Sequence, residues 1–295
     1  MYKFNIPNEK KIRVIIDTDA KNEVDDQFAI VQAALSESFD MKGFVAAHFG
    51  REKSPHSMQD SYDEIVKVLS MLGEHGNIPV YHGAEDALLS ENEPKDSEGA
   101  GLIIEEAMKD DERPLFVACI GTITDMASAL LLAPEIADKN MTVIWIGGRD
   151  YPSGGWEYNL KNDIAAANVV FKSKVNLWQV PRNVYRMMPV SLAELVNRVY
   201  PCGEIGKYLA ENVIRFNNAS VSRPTEYRIL GDSPSIGLML YDDCGKWTWK
   251  PAPEIDENMN YIHNGKNRPI RVYETIDARF ILEDLYAKLN MMKNQ

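Results

Sequence analysis

The chain has 295 residues, of which 45% are hydrophobic and 26% are charged, a composition typical of a folded globular protein rather than a disordered or fibrous one. Its formal net charge of -12 and its pI near 5.0 disfavour a nucleic-acid partner, because such a surface repels phosphate backbones unless a basic patch overrides the repulsion. No run rich in lysine or arginine provides such a patch.

Apolar runs of strand length alternate with segments of helical period from residue 12 onward, which is the pattern of a parallel sheet covered by helices. The first unit has a β-branched strand at residues 14–16, an acidic loop from Asp17 and a helix at 28–35. Further strands are predicted at residues 43–47, 115–120, 142–146 and 176–180. Helices are predicted at residues 61–72, 97–109, 125–132, 165–172, 191–199, 205–216 and 276–291.

Residues 241–267 are polar and weakly periodic, which favours a long irregular insertion, with a hairpin as the alternative. The chain contains no repeat and no low-complexity tract. We therefore expect one Rossmann-like α/β domain over residues 1–295, with a mostly parallel central sheet flanked by helices. Ligands of such sheets bind beyond the carboxyl ends of the strands, so the loops after the strands are the places to search for chemistry.

The cysteines and the N-terminal residues indicate in which cellular compartment the protein is expected. Cys119, Cys202 and Cys244 are odd in number and lack a CxxC pair, so neither a disulfide framework nor a zinc site is indicated. The first residues are charged where a signal peptide needs an apolar run, and no stretch of about 18 uncharged apolar residues occurs. We expect a cytoplasmic protein with no membrane partner.

The most unusual loop follows the first strand, where DTDAKNEVDD brings four aspartates within ten positions. Asp17, Asp19, Asp25 and Asp26 would repel one another unless a cation held them. Oxygen ligands in a flexible loop favour calcium over zinc. Asp25 and Asp26 could instead cap the following helix, but capping does not explain Asp17 and Asp19 at the end of a buried strand.

At these residues the chain resembles the inosine-uridine-type nucleoside hydrolases, whose first loop reads DxDxGxDDxxA. DTD and VDDQFAI match its two halves, although the family glycine is absent and two extra residues separate the halves. Three later segments occur in the family's order: CIGTITDMASALLLAPEI is similar to TGxLTNxA, IGGRDYPSGGWEYNLKNDIAAANVVF to MGG…EFNxxxDPEAA, and GDSPSIGLML to HDPxAxxY. VYETIDARFILEDLYAKL is similar to the family's closing strand and helix, so the resemblance covers nearly the whole chain.

The resemblance implies calcium-dependent hydrolysis of the N-glycosidic bond of a ribonucleoside or related N-riboside by a metal-bound water. It assigns the calcium ligands as the carboxylates of Asp19, Asp26 and Asp232 and the main-chain carbonyl of Thr124. Asp19 would also act as general base, and Asp17 would support the metal ligands from behind. The ribose hydroxyls would be held by Asp25, Glu157 and Asn159. The family also tends to form dimers or tetramers, so a homodimer or homotetramer is expected.

Several of these residues have simpler readings by type alone. Thr124 and Asp125 could form a helix N-cap, and Asp232 in GDSP is an ordinary turn residue. Glu157 and Asn159 could belong to a solvated loop. The order of the motifs along the chain favours the functional assignment over these alternatives.

At two positions this chain differs from the family in residues that are expected to contact the substrate. Gly231 stands where broad-specificity members carry a histidine that helps to protonate the departing base, and Arg51 stands where an asparagine commonly faces the sugar. Arg51 could contact an anionic group of the substrate. Trp247 and Trp249 could stack on the base in place of the histidine's assistance, although a tryptophan is more often packing than a ligand platform.

Two alternatives to a nucleoside hydrolase follow from these departures. One is a hydrolase of a different riboside or pentoside that keeps the metal and sugar sites. The other is a non-catalytic calcium-dependent sugar-binding protein, in which the longer acidic loop has displaced Asp19. Retention of both the metal and the diol ligands favours an enzyme acting on a small-molecule nucleoside or riboside.

Overall fold

The computed structural model describes residues 4–219 and 226–293. The strands are β1 Ile12–Thr18, β2 Phe39–Ala46, β3 Val80–His82, β4 Leu115–Cys119, β5 Met141–Ile146, β6 Asn176–Val180, β7 Pro189–Ser191, β8 Tyr227–Ile229, β9 Trp247–Pro251, β10 Glu254–Ile255, β11 Tyr261–Ile262 and β12 Pro269–Tyr273. The α-helices are α1 Asp26–Ala34, α2 Ser57–Leu72, α3 Glu98–Met108, α4 Thr124–Leu132, α5 Tyr158–Asn162, α6 Ile164–Lys172, α7 Arg182–Tyr185, α8 Leu192–Glu194, α9 Gly203–Ala219, α10 Ser233–Leu240 and α11 Ala278–Lys293. Short 3-10 helices lie at Asn8–Lys10 and Pro134–Asp138, and a π-helix at Leu195–Val199.

The central sheet has the strand order β3-β2-β1-β4-β5-β6-β12-β9 within the described residues. All its neighbouring strands run parallel except β9, which pairs antiparallel with β12. The order of the first six strands is that of the doubly wound dinucleotide-binding folds. In these folds successive strands are added outward from β1 on one side and then, starting with β4, on the other side, so the strand order reverses between β1 and β4. A ligand crevice is expected at that reversal, beyond the carboxyl ends of these two strands.

Alternate side chains of β1 enter two cores on opposite faces of the sheet, as the period of two in a strand requires. Val14 and Ile16 pack with residues of α1, α2, α9, α10 and α11, whereas Ile15 packs with residues of α3, α4 and α6. Burial on both faces explains why the strand is a continuous β-branched run rather than an alternating one. The two helical layers therefore fix the end of β1 between them.

The predicted α/β class and all the predicted strands are confirmed. In residues 241–267 the hairpin alternative is confirmed by the antiparallel β10 and β11 pair, whereas the irregular insertion is wrong in part, since the segment also adds the edge strand β9 to the main sheet. The helix predicted at 191–199 begins at Leu192 and continues as a π-helix. The short strands β3, β7 and β8 were not predicted.

No helix in the described part of the chain combines the length and apolarity needed to cross a membrane.

Candidate active site

A pocket lies where the loops after β1, β4, β5 and β6 meet the start of α10. It is at the carboxyl edge of the sheet, next to the reversal point between β1 and β4. The lining residues are Asp19, Asn22, Glu23, Asp25 and Asp26 from the first loop, Ile120, Ile146, Glu157, Tyr158, Asn159 and Tyr185 from the later loops, and Gly231 and Asp232 before α10.

Three carboxylates form the acidic centre of this pocket. One ligand atom from each of Asp25, Asp26 and Asp232 lies within 4.8 Å of the others. The hydroxyl of Thr18 donates to Oδ1 of Asp26 at 2.6 Å, and the main-chain N–H of Gly231 donates to Oδ2 of Asp25 at 2.9 Å. These hydrogen bonds fix the orientations of the Asp26 and Asp25 carboxylates.

Asp19 lines the same pocket from the end of β1, but it lies outside the group of three carboxylates whose ligand atoms are within 4.8 Å of one another. Its side chain is 2% exposed, and no group in the described residues hydrogen-bonds its Oδ2. Gly121 allows this close packing, because a Cβ at position 121 would lie 2.7 Å from Oδ1 of Asp19. A buried carboxylate oxygen without a partner is costly, which points to a ligand that is positively charged or donates a hydrogen bond.

Burial and mutual repulsion raise the pKa of every carboxyl in the centre. Burial, followed by the charges of Asp25 and Glu23, raises the pKa of Asp19 to about 8. Burial and the charge of Glu23 raise the pKa of Asp25 to about 6, and burial with neighbouring carboxylates raises the pKa of Asp26 and Asp232. A cation would reverse this repulsion, and a set of carboxylate oxygens matches a hard cation such as calcium. The residues therefore fit a divalent metal ion.

Two further buried carboxylates are those of Asp17 and Asp125, and Asp17 lies next to Asp19. Asp17 is fully buried, neither of its carboxylate oxygens has a hydrogen-bond partner among the described residues, and burial and the charges of Asp125 and Asp19 raise its pKa. Oδ1 of Asp125 accepts hydrogen bonds from the Ser97 hydroxyl at 2.5 Å and the Ala84 N–H at 3.0 Å. The N-cap reading of Asp125 is therefore wrong, since its carboxylate binds two other segments and α4 has no side-chain cap.

Glu157 and Asn159 form the opposite wall and are buried rather than solvated. Oε2 of Glu157 accepts from the N–H groups of Gly148 and Leu160, both at 2.9 Å, and its Oε1 accepts from the Tyr185 hydroxyl at 3.0 Å. Nδ2 of Asn159 donates to the carbonyls of Ile120 at 3.1 Å and Ile146 at 2.8 Å. The loop after β5 therefore presents two fixed polar side chains to the pocket.

The ring of Tyr185 fills the space beside Gly231. A Cβ at position 231 would lie 3.1 Å from Cδ2 of Tyr185 and 3.3 Å from Oδ2 of Asp25, closer than ordinary van der Waals contact. A side chain at this position would require the ring or the Asp25 carboxylate to shift by a few tenths of an ångström. The packing of Tyr185 therefore restricts the space for a side chain before Asp232.

Thr124 is fully buried at the start of α4. Its hydroxyl donates to Oδ2 of Asp163 at 2.8 Å and contacts Nε2 of His48 at 3.0 Å, and Thr124 is not among the lining residues. These contacts involve the hydroxyl and not the main-chain carbonyl, so the calcium contact of the carbonyl stays a prediction. The chain has already turned into α4 at this position. Ile120, the first residue after β4, is the residue of this segment that reaches the pocket.

The residues that line the pocket do not include three of the predicted substrate contacts, Arg51, Trp247 and Trp249. Arg51 is exposed and forms an ion pair with Asp86, with 2.6 Å between Nε and Oδ1. Both tryptophans lie on β9, the outermost strand, and five strand spacings of roughly 4.8 Å place them about 24 Å from β1. The proposed roles of Arg51 in substrate contact and of the tryptophans in base stacking have no geometric support within this chain.

Comparison with known proteins fits this geometry. A sequence profile of the family described as inosine-uridine preferring nucleoside hydrolase matches residues 14–252, which include every acidic residue of the pocket. The chain belongs to the nucleoside hydrolase family. It is therefore an enzyme of the class that hydrolyses the N-glycosidic bond of nucleosides.

Individual relatives of this nucleoside hydrolase are distant. A pyrimidine-specific ribonucleoside hydrolase of Salmonella paratyphi A is 24% identical, covering 82% of this chain and 80% of its own, and uridine nucleosidase 1 of Arabidopsis thaliana is 22% identical, covering 96% and 94%. Among solved structures, the purine-preferring ribonucleoside hydrolase from Gardnerella vaginalis has a TM-score of 0.79 at 19% identity, covering 95% of this chain and 99% of its own. The plant nucleoside hydrolase PpNRh1 has a TM-score of 0.77 at 17% identity, covering 94% and 98%. The fold is therefore retained over almost the whole chain.

Proposed function

We propose that this nucleoside hydrolase is a calcium-dependent N-ribosidase whose reaction takes place at the carboxylates of Asp19, Asp26 and Asp232. The observation that carries the proposal is their burial in one pocket, with an unpartnered oxygen on Asp19 and the polar side chains of Glu157 and Asn159 opposite. The names of the relatives include pyrimidine, uridine and purine preferences, so they support a ribonucleoside without fixing the base.

The residues of the pocket divide into two groups in this proposal. Asp19, Asp26 and Asp232 hold the ion, with the main-chain carbonyl of Thr124 as the fourth protein ligand. Asp25, Glu157 and Asn159 bind the hydroxyls of the sugar, because they line the same pocket and their orientations are fixed by hydrogen bonds.

Asp19 is the group that accepts a proton from the attacking water. When bound, the ion lowers the pKa of water and holds it beside the sugar. The transition state of glycosidic cleavage resembles an oxocarbenium ion, so the negative charge of the surrounding carboxylates stabilises it. The chain needs no covalent intermediate for this reaction, and a single attack by water is expected to invert the anomeric carbon.

Release of free ribose from a riboside tests the proposal. Chelator-treated protein is expected to be inactive and to recover activity with calcium, whereas Asp26→Asn stays inactive with calcium. Asp243→Asn is the matched control, because Asp243 is exposed and lies outside the pocket. Full activity in the chelator-treated wild type or in Asp26→Asn would overturn the proposed metal site.

A further inference from the structure

The pocket lacks a suitable proton donor for a departing base. None of the described residues that line it is histidine, lysine or arginine. The two lining tyrosines are poor acids, since burial raises the pKa of Tyr158 to about 12 and raises that of Tyr185 even further, and the Tyr185 hydroxyl already donates to Glu157. A neutral purine or pyrimidine departs as an anion unless it is protonated, so this pocket gives it little assistance.

The same lining is rich in negative charge. Its six carboxylates belong to Asp19, Glu23, Asp25, Asp26, Glu157 and Asp232. A divalent ion offsets two of these charges, and three cations lie beside the lining residues. Arg228 forms an ion pair with Glu23, Nζ of Lys53 donates to Oδ1 of Asn22 and lies 4.6 Å from the centroid of the Tyr158 ring, and Nζ of Lys161 lies 5.9 Å from the same centroid. Six negative charges exceed the five positive charges of the ion and these three side chains, so the pocket keeps a small negative charge.

Glu23 differs from the other five carboxylates in its position. It belongs to the loop that is two residues longer than the family pattern, and its side chain is 40% exposed, whereas Asp19, Asp26 and Asp232 are buried. Its ion pair with Arg228 uses Oε2. Glu23 therefore presents a carboxylate on the solvent side of the pocket, where a base attached to a sugar in the interior would extend.

Aromatic side chains border the same pocket. Tyr158 lines the pocket, and the half-exposed ring of Trp156 lies 6.3 Å from it in an edge-on arrangement. A carboxylate together with aromatic rings is the usual means of binding an organic cation in water. The Tyr158 ring already binds one cation, the Lys53 ammonium at 4.6 Å from its centroid, and a positively charged base would take that place.

We propose that the preferred substrates are N-ribosides whose base carries a positive charge, such as 7-alkylpurinium and pyridinium ribosides, and that Glu23 recognises the charge. This inference rests on the proposed function. Water attacks the anomeric carbon and gives one proton to Asp19, while the carbon–nitrogen bond breaks and its electron pair passes to the ring nitrogen. The base departs neutral, so no acid is required.

The test compares kcat/KM for a pyridinium riboside and 7-methylguanosine with that for 4-nitrophenyl riboside, a neutral substrate with an activated leaving group. Glu23→Gln is expected to lower the ratio of cationic to neutral substrate about tenfold, because one unit charge near the base is lost. Arg228→Gln is expected to raise the ratio, because it removes the cation that offsets Glu23. Glu105→Gln is the matched control, since Glu105 is exposed, pairs with Lys109 and does not line the pocket.

Binding supplies a measurement that does not depend on turnover. By calorimetry, 1-methylnicotinamide, a cation, is expected to bind the wild type more tightly than neutral nicotinamide, and Glu23→Gln is expected to remove the difference. Equal binding of the two compounds, or an unchanged substrate ratio in both Glu23→Gln and Arg228→Gln, would overturn the inference. Failure to hydrolyse any of the three ribosides in calcium would instead overturn the proposed function, and the binding result would still decide the role of Glu23.

Discussion

Replacing Gly231 with histidine is expected to destabilise this protein, although histidine is common at this position in the family. A Cβ at 231 would lie 3.1 Å from Cδ2 of Tyr185 and 3.3 Å from Oδ2 of Asp25, and the imidazole ring would extend further into the same space. Overpacking of this kind costs about 1–3 kcal/mol, which corresponds to a fall in Tm of about 2–5 °C for a chain of this size.

Removing the ring of Tyr185 should relieve the clash. We expect Gly231→His combined with Tyr185→Ala to be more stable than the sum of the two single effects by about 1–2 kcal/mol. Urea unfolding of the four proteins at one calcium concentration measures this coupling. Gly101→His is the matched control, because a Cβ at 101 meets nothing within 4 Å. Additive effects of the two substitutions would refute the claim that Tyr185 occupies the space of the missing histidine.

Three further outcomes are expected. Asp26→Ala should abolish calcium binding in calorimetry, whereas Asp25→Ala should retain calcium and bind ribose more weakly; loss of calcium in both would make Asp25 a metal ligand. Asp19→Asn should lower turnover by about 100- to 10,000-fold with calcium content and ribose affinity unchanged, and a loss below roughly tenfold would place the general base elsewhere. Without metal, the free energy of unfolding should fall as pH rises from about 4 to about 8, because the raised pKa values of Asp25, about 6, and Asp19, about 8, favour the protonated native state at low pH. Calcium should restore the stability at pH 8, and a metal-free protein equally stable at pH 5 and pH 8 would contradict this reasoning.

The acidic loop could be predicted because its signal is local. A β-branched run buried on both faces predicts β1, and carboxylates directly after such a strand must reach the carboxyl edge of the sheet. Asp19, Asp25 and Asp26 are therefore assigned to the pocket by the strand that precedes them. The order of the family motifs along the chain predicts that Glu157, Asn159 and Asp232 also belong to the site. Their segments are far apart in sequence and meet only in the folded chain.

Other features of the pocket depend on contacts between distant segments. Tyr185 lies after β6 and packs against Gly231, and the absence of a side chain at 231 is the only sequence signal of that contact. Ile120, the first residue after β4, reaches the pocket, whereas the hydroxyl of Thr124, the first residue of α4, bonds to Asp163 outside the pocket lining. Trp247 and Trp249 have a residue type suited to base stacking, but they lie on β9 at the edge of the sheet. The local sequence does not indicate where that strand pairs, so it does not indicate their distance from the site.

A crystal of this protein grown with calcium and ribose would test the account most directly. We expect one ion bound by Asp19, Asp26 and Asp232, and sugar hydroxyls within hydrogen-bonding distance of Asp25, Glu157 and Asn159. The anomeric carbon should face the open side of the pocket, towards Glu23. An ion bound without Asp19, or a sugar bound outside this pocket, would contradict the account.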